Sequence, residues 1–174
     1  MTKVTPLFDE ARIAARVKSL ADEITAAISE PFVMVGLLKG SFVFVADLAR
    51  ALDRAGAAPQ IEFLRLSSYG LGTESSGDVH LLGDIPTDVA GRRVLLVDDI
   101  VDTGRSIAYA QALLRQRDVG TLSTCALIDK PSRREVTVTA DFVGFTIDDL
   151  FIAGYGIDYA ERYRHLPYIG VVTD

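Results

Sequence analysis

The chain has 174 residues, 49% of them apolar and 24% charged, which suits one globular domain with a single substantial core. A formal net charge of −6 works against non-specific binding to nucleic acid or an anionic membrane, and no apolar run approaches the ~18 residues of a membrane span. The single cysteine, Cys125, excludes an intramolecular disulfide, and two histidines far apart in sequence, His80 and His165, give a zinc site or a Ser-His-Asp triad no support. Met1 to Pro6 lacks the apolar stretch of a secretory signal, so a cytoplasmic protein is expected.

Residues 9 to 29 carry apolar side chains at Ile13, Val17, Leu20, Ile24 and Ile28, one face of a helix, with Asp9 as N-cap and Pro31 beyond its end. This reads as structure rather than function. Phe32 to Leu38 is apolar without alternation, which predicts a strand buried on both faces. It runs into Lys39-Gly40-Ser41, and a helix follows with Phe42, Val45, Leu48, Ala49 and Leu52 inward. A cation beside a glycine at that edge suits a pyrophosphate. An ordinary turn with a solvated lysine fits the local residues equally well.

Ile61 to Leu66 alternates weakly and predicts a strand near a sheet edge. Ser67 to Asp78 is then small, polar and glycine-rich, a length of loop that is usually functional or disordered. We read residues 67–79 as a mobile lid, with Val79 to Leu82 returning as the second arm of a hairpin. Gly70-x-Gly72 lacks the third glycine and the strand–helix context of a dinucleotide fingerprint, and no Gly-x-x-x-x-Gly-Lys-Ser/Thr pattern occurs.

The richest stretch runs from Val94 to Ser106. Val94-Leu95-Leu96-Val97 predicts a buried parallel strand, and Ile107, Ala110, Leu113 and Leu114 predict the helix after it. The loop between them falls at the carboxyl end of a strand, where open α/β sheets bind ligands. Thr103, Gly104, Arg105 and Ser106 would offer backbone N–H groups and hydroxyls to a phosphate. Asp98 and Asp99 repel phosphate, so their partners are sugar hydroxyls or a divalent cation. Asp102 lies between the two halves and suits general acid–base work on whatever is joined to the sugar. One such aspartate alone would more often be a helix cap; three in five residues after an apolar strand point to a site.

Asp118-Val119-Gly120 ends that helix, and Leu122 to Ile128 predicts another buried strand with Cys125 as a core thiol. It delivers Asp129-Lys130-Pro131-Ser132-Arg133-Arg134 to the same edge. Lys130 could donate to a carbonyl on a base and an arginine could meet diphosphate, although a solvated basic loop is the default for such a turn. Phe142 to Ile147 predicts a short strand, and Tyr168 to Thr173 a final one. Between them, an exposed aromatic could stack on a purine, but Phe151 and Ile152 taken alone read more readily as core.

Val97-Asp98-Asp99-Ile100-Val101-Asp102-Thr103-Gly104-Arg105-Ser106 resembles the phosphoribosyl-diphosphate signature of the type I phosphoribosyltransferases, and Asp102 resembles their 6-oxopurine branch. The resemblance runs from about Val35 to Val171. It takes in the Leu38-Lys39-Gly40-Ser41 loop, the lid dipeptide Ser68-Tyr69, Asp129 to Arg133, and Gly154-Tyr155-Gly156-Ile157-Asp158-Tyr159. It implies an α/β fold: a parallel-sheet core with helices on both faces, and a small hood over the carboxyl edge built from the lid hairpin and the C-terminal segment. It also implies diphosphate contacts from Lys39, Gly40, Arg133 and Arg164, with the Lys-Gly peptide often cis. Lys130 would read the purine 6-oxo group, Phe151 would stack on the base, and Ile152 would meet it through its backbone. Asp158 would serve the base edge and, with Asp98 and Asp99, Mg2+.

The activity implied is purine salvage: phosphoribosyl diphosphate and hypoxanthine or guanine give the nucleoside monophosphate and diphosphate. Small-molecule substrates, no nucleic acid, no membrane and a homodimer or homotetramer go with it. One departure stands out, since the family usually has Glu-Asp where this chain has Asp98-Asp99. The rival readings are a transferase for another base, such as xanthine, adenine or a pyrimidine, and an RNA-binding regulator on the same fold. Asp102 and Lys130 disfavour adenine and pyrimidines, and the acidic balance disfavours the regulator.

Overall fold

A computed structural model describes residues 2–67 and 79–173. The expected lid, including Ser68 and Tyr69, lies almost wholly outside them. Asp9 caps the first helix, α1 (Glu10–Ala27), accepting the Arg12 backbone N–H through Oδ1 at 2.8 Å. The strand β2 (Phe32–Leu38) and the helix α2 (Phe42–Arg54) follow as the apolar pattern requires. Next come β3 (Gln60–Ser67), β4 (His80–Gly83), β5 (Arg93–Val101), α3 (Arg105–Arg115), β6 (Thr121–Asp129) and β7 (Phe142–Thr146).

The main sheet has six strands in the order β4-β3-β2-β5-β6-β7, parallel except for β4. Buried strands present opposite faces at successive residues, and the cores divide accordingly. Phe32 and Met34 of β2 and Leu95 and Val97 of β5 pack with α1 and α2, while Val33, Val35, Val94 and Leu96 pack with α3. The helices therefore cover both faces, as expected.

Chain order reverses between β2 and β5. From β2 the chain winds outward through β3, and from β5 it winds the other way through β6. This is the switch point at which open α/β sheets form a crevice. The ladder between β2 and β5 ends at Gly36 and Val97, so Lys39-Gly40 and Asp98-Asp99 emerge side by side just beyond it.

A second sheet of three strands has the order β1-β9-β8, from β1 (Lys3–Phe8), β8 (Ile152–Ala153) and β9 (Ile169–Thr173). The sequence pattern left β1 unassigned. Its partner is at the far end of the chain, Lys3 opposite Thr173, and Pro6 sits on a strand paired along one edge only. The β3–β4 pair, in contrast, is continuous with the main sheet. Among the described residues no helix is long and apolar enough to cross a membrane.

Candidate active site

The loop after β5 is built around Gly104. Its φ of +87° lies in the left-handed region, and a Cβ there would stand 2.6 Å from Val138 Cγ2 and 3.0 Å from Arg134 Cδ. Only glycine meets both demands. The Glu135 N–H donates to the Thr103 carbonyl at 3.0 Å, so the 134–138 segment braces the loop from outside. Thr103, Gly104 and Ser106, with Asp98 and Asp102, line a 260 Å³ cavity where α3 begins. This is the arrangement expected of a phosphate cradle. Arg105 turns away to pair with Glu135 at 2.8 Å.

Asp98 and Asp99 are 7% and 8% exposed. Burial pushes both carboxyl pKa values up, and for Asp98 the neighbouring Asp99 charge adds to the effect. Asp98 Oδ1 accepts the Asp99 N–H at 3.0 Å, and the Arg164 charge acts on Asp99 in the opposite sense to burial. Gly40 lies directly against Asp99, where a Cβ would fall 1.9 Å from Asp99 Oδ2. Gly156, at φ +97°, closes on the other side of Gly40, since its Cβ would fall 2.2 Å from the Gly40 carbonyl. The two glycines let the Lys-Gly loop thread between the acidic pair and the 154–158 segment. The cis peptide in this loop joins Leu38 to Lys39, one bond earlier than the Lys39–Gly40 bond.

The expected diphosphate cations do not converge on one point. Lys39 Nζ pairs with Glu161 at 2.7 Å. Arg164 pairs with Asp158 at 2.7 Å, reaches Glu161 at 3.4 Å, and donates to the Gly156 carbonyl at 2.9 Å. Lys39, Arg164, Asp158 and Glu161 share a 550 Å³ cavity with Arg65 and Leu82. Arg133 pairs instead with Asp102 at 3.2 Å and Asp149 at 3.6 Å, so it stands beside the residue expected to do acid–base work.

Lys130 is buried at the end of β6. Its Nζ donates to the Leu150 carbonyl at 2.6 Å and its backbone N–H to the Val101 carbonyl at 3.0 Å. The ammonium is thus held beside the segment that contains Phe151, with two further protons to give. The reading of Phe151 and Ile152 as a core pair is half right: Ile152 is buried in β8, whereas Phe151 is 74% exposed. Sequence reasoning passed over Arg134, which donates to the Val101 and Asp102 carbonyls at 2.8 and 2.6 Å and pairs with Asp129. It clamps the backbone on which Asp102 stands. Two adjacent arginines after the lysine were the only hint.

Among the described residues no three His, Cys, Asp or Glu side chains gather as a metal-holding group, and Asp158 is paired with Arg164. The acidic pair by itself nevertheless suits a hard divalent cation. Two buried like charges with raised pKa values gain from a positive ion, and Mg2+ commonly takes one or two carboxylates and completes its shell with ligand oxygens and water.

A switch-point crevice holding an acidic pair, a helix-start cradle and a Lys-Gly loop is the architecture of the type I phosphoribosyltransferases. Residues 3–160 match the Phosphoribosyl transferase domain family, and the chain belongs to it. It is 45% identical over 172 residues to the hypoxanthine phosphoribosyltransferase of Escherichia coli K12, covering 97% of this chain and 95% of that protein. Identity to the hypoxanthine-guanine phosphoribosyltransferase of Aquifex aeolicus is 46% over 174 residues, covering 99% and 96%. A crystal structure of a hypoxanthine-guanine phosphoribosyltransferase from Bacillus anthracis, with HEPES in its active site, superposes with a TM-score of 0.90 at 42% identity, covering 98% of this chain and 100% of that one.

Proposed function

We propose that this protein transfers the 5-phosphoribosyl group from phosphoribosyl diphosphate to hypoxanthine or guanine, releasing diphosphate, as a step of purine salvage. The observation that carries the reading is the pairing of two neighbouring strand ends. β5 presents Asp98, Asp99 and Asp102 ahead of the Gly104 cradle, and β6 presents buried Lys130 beside exposed Phe151.

In this reading the 5-phosphate rests on the N–H groups and hydroxyls of Thr103 to Ser106. Asp98 and Asp99 accept from the ribose hydroxyls or hold Mg2+, with ligand oxygens in place of a third protein carboxylate. Mg2+, when bound, neutralises charge on the departing diphosphate. Lys39, with its Gly40 backbone, and Arg164 take the diphosphate in the 550 Å³ cavity. Lys130 donates to the 6-oxo group and Phe151 covers the base, while Ile152 offers backbone contacts and Asp158 the base edge. Asp102 exchanges a proton with the imidazole-side nitrogen as positive charge develops on the ribose ring. Arg133 lies against Asp102 in an ion pair and orients its carboxylate; its diphosphate role would need it to leave Asp102. Residues 67–79, with Ser68 and Tyr69, serve as the lid of one domain spanning 1–174, and a cytoplasmic homodimer or homotetramer is the expected form.

The test is an absorbance assay with phosphoribosyl diphosphate and Mg2+, offering hypoxanthine, guanine, xanthine and adenine separately. Turnover of oxopurines but not adenine supports the reading. No turnover of any base, with the sugar diphosphate still bound, would move the assignment to a binding protein on the same fold.

A further inference from the structure

Glu161 occupies an unusual position. Tyr159 and Arg162 exchange backbone hydrogen bonds at 3.1 Å in both directions, which makes 159–162 a two-residue hairpin turn. Its central residues, Ala160 and Glu161, have φ of +51° and +60°. Turns of this mirror-image type favour Asn-Gly or Gly-Gly, because other residues are strained at positive φ. Alanine and glutamate are poor choices for such a turn. Strain of this sort is an observation from which a functional role can be argued.

The glutamate carboxylate supplies that role. One oxygen lies 2.7 Å from Lys39 Nζ and the other 3.4 Å from Arg164. These are two of the three cations that line the 550 Å³ cavity, beside Arg65, and the two to which diphosphate is assigned above. The turn is itself anchored, since the Glu161 N–H donates to Asp158 Oδ2 at 2.9 Å. The side chain is mostly exposed, so it can swing into solvent without unpacking anything.

We propose that Glu161 is an internal stand-in for the diphosphate: its carboxylate holds Lys39 and Arg164 together while the subsite is empty, and an incoming diphosphate group must displace it. The proposal rests on the reading of this cavity as the diphosphate subsite. Its consequence is that Glu161 weakens diphosphate binding and hastens release of that product. Both ion pairs are partly exposed, so each contributes little, and their combined loss corresponds to roughly a threefold to tenfold change in affinity.

The experiment is calorimetric titration of the full-length protein with inorganic diphosphate and Mg2+, comparing wild type, Glu161→Gln and Asp53→Asn. Asp53 lies on α2 outside the cavity lining, so its variant controls for the change in net charge alone. Glu161→Gln is expected to bind about three to ten times more tightly than wild type, Asp53→Asn is expected to match wild type, and the gain should shrink as salt screens the ion pairs. Glu161→Gly relieves the turn as well as removing the charge, and it should melt no lower than wild type while showing the same tighter binding. Unchanged or weaker diphosphate binding in both Glu161 variants would overturn the proposal and leave Glu161 a support for Lys39. No detectable binding to wild type or variants would instead defeat the assignment of the cavity to diphosphate, and the inference with it.

Discussion

Gly104→Ala tests how tightly the loop after β5 is built. Two penalties can be worked out separately. At φ +87° an alanine suffers the left-handed backbone cost, about 1–2 kcal/mol. Its Cβ would also press on Val138 Cγ2 at 2.6 Å and Arg134 Cδ at 3.0 Å. Arg134 cannot retreat cheaply, because its guanidinium is bound to the Val101 and Asp102 carbonyls and to Asp129. Overpacking of that kind costs about 1–3 kcal/mol, so the total is about 2–5 kcal/mol. Gly56 is the internal control: its φ is +91°, but nothing lies within 4 Å of its Cβ position. Gly56→Ala should therefore show the backbone cost alone. Denaturant unfolding of both variants gives the comparison, with Gly104→Ala less stable than Gly56→Ala by about 1 kcal/mol or more. Equal losses would mean that Val138 and Arg134 yield freely, and the braced cradle would have to be abandoned.

Asp102→Asn keeps an acceptor for Arg133 but cannot take a proton; kcat should fall by about 10²–10⁴ with little change in affinity for the sugar diphosphate, and near-normal turnover would remove Asp102 from acid–base work. Lys130→Ala should abolish use of 6-oxopurines selectively and cost about 1–3 kcal/mol of stability, because the Leu150 carbonyl loses its donor; equal losses against every base would show a structural role only. Asp98→Asn should raise stability near neutral pH by about 1–2 kcal/mol when Mg2+ is chelated, since it removes one of two buried like charges. The sign follows from proton counts: a carboxyl whose pKa is raised by folding holds more protons folded than unfolded, so wild-type stability falls as pH rises from the ordinary carboxylate range to the raised value. Thermal melts in chelator from pH 4 to 8 should show the advantage of the variant fading toward the acid end, and a variant that melts lower at neutral pH would refute the account.

The strand–loop–helix units were legible because they are local. Apolar runs such as Phe32–Leu38 can be buried only on both faces, and Asp9 needs nothing beyond Arg12 to cap α1. The ends of those runs located the site, since the carboxyl edge follows from strand direction alone. What stayed hidden depends on distant partners. β1 forms only because Thr173 and its neighbours are there to pair with it. Phe151 and Ile152 are adjacent apolar residues, and β8 pairing decides which one is buried. Gly156 looks like any turn glycine until the Gly40 carbonyl is seen against it, and Arg134 looks like its neighbour Arg133 until their carbonyl and carboxylate partners are compared. A motif also names residues without their current partners. Lys39 and Arg164 carry the expected charges, but both are engaged by Glu161, a residue no signature drew attention to.

The acidic pair explains how an aspartate can stand where the family usually has glutamate. The two carboxylates are not equivalent. Asp99 is walled in by the Gly40 backbone, which Gly156 holds from behind, and it feels the Arg164 charge. It borders the 180 Å³ cavity between the ends of β2 and β5. Asp98 borders that cavity and also the 260 Å³ cavity of the cradle. With Ile100 and Ser106, Asp98 forms a wall shared by the two cavities. The shorter side chain accepts the Asp99 N–H and so stays close to its own strand. Gly40 thus forms a fixed wall against Asp99, while Asp98, equally buried, borders both cavities. In the proposed reading a metal or ribose would meet a carboxylate held by its own backbone, so ordering it on binding would cost little conformational entropy.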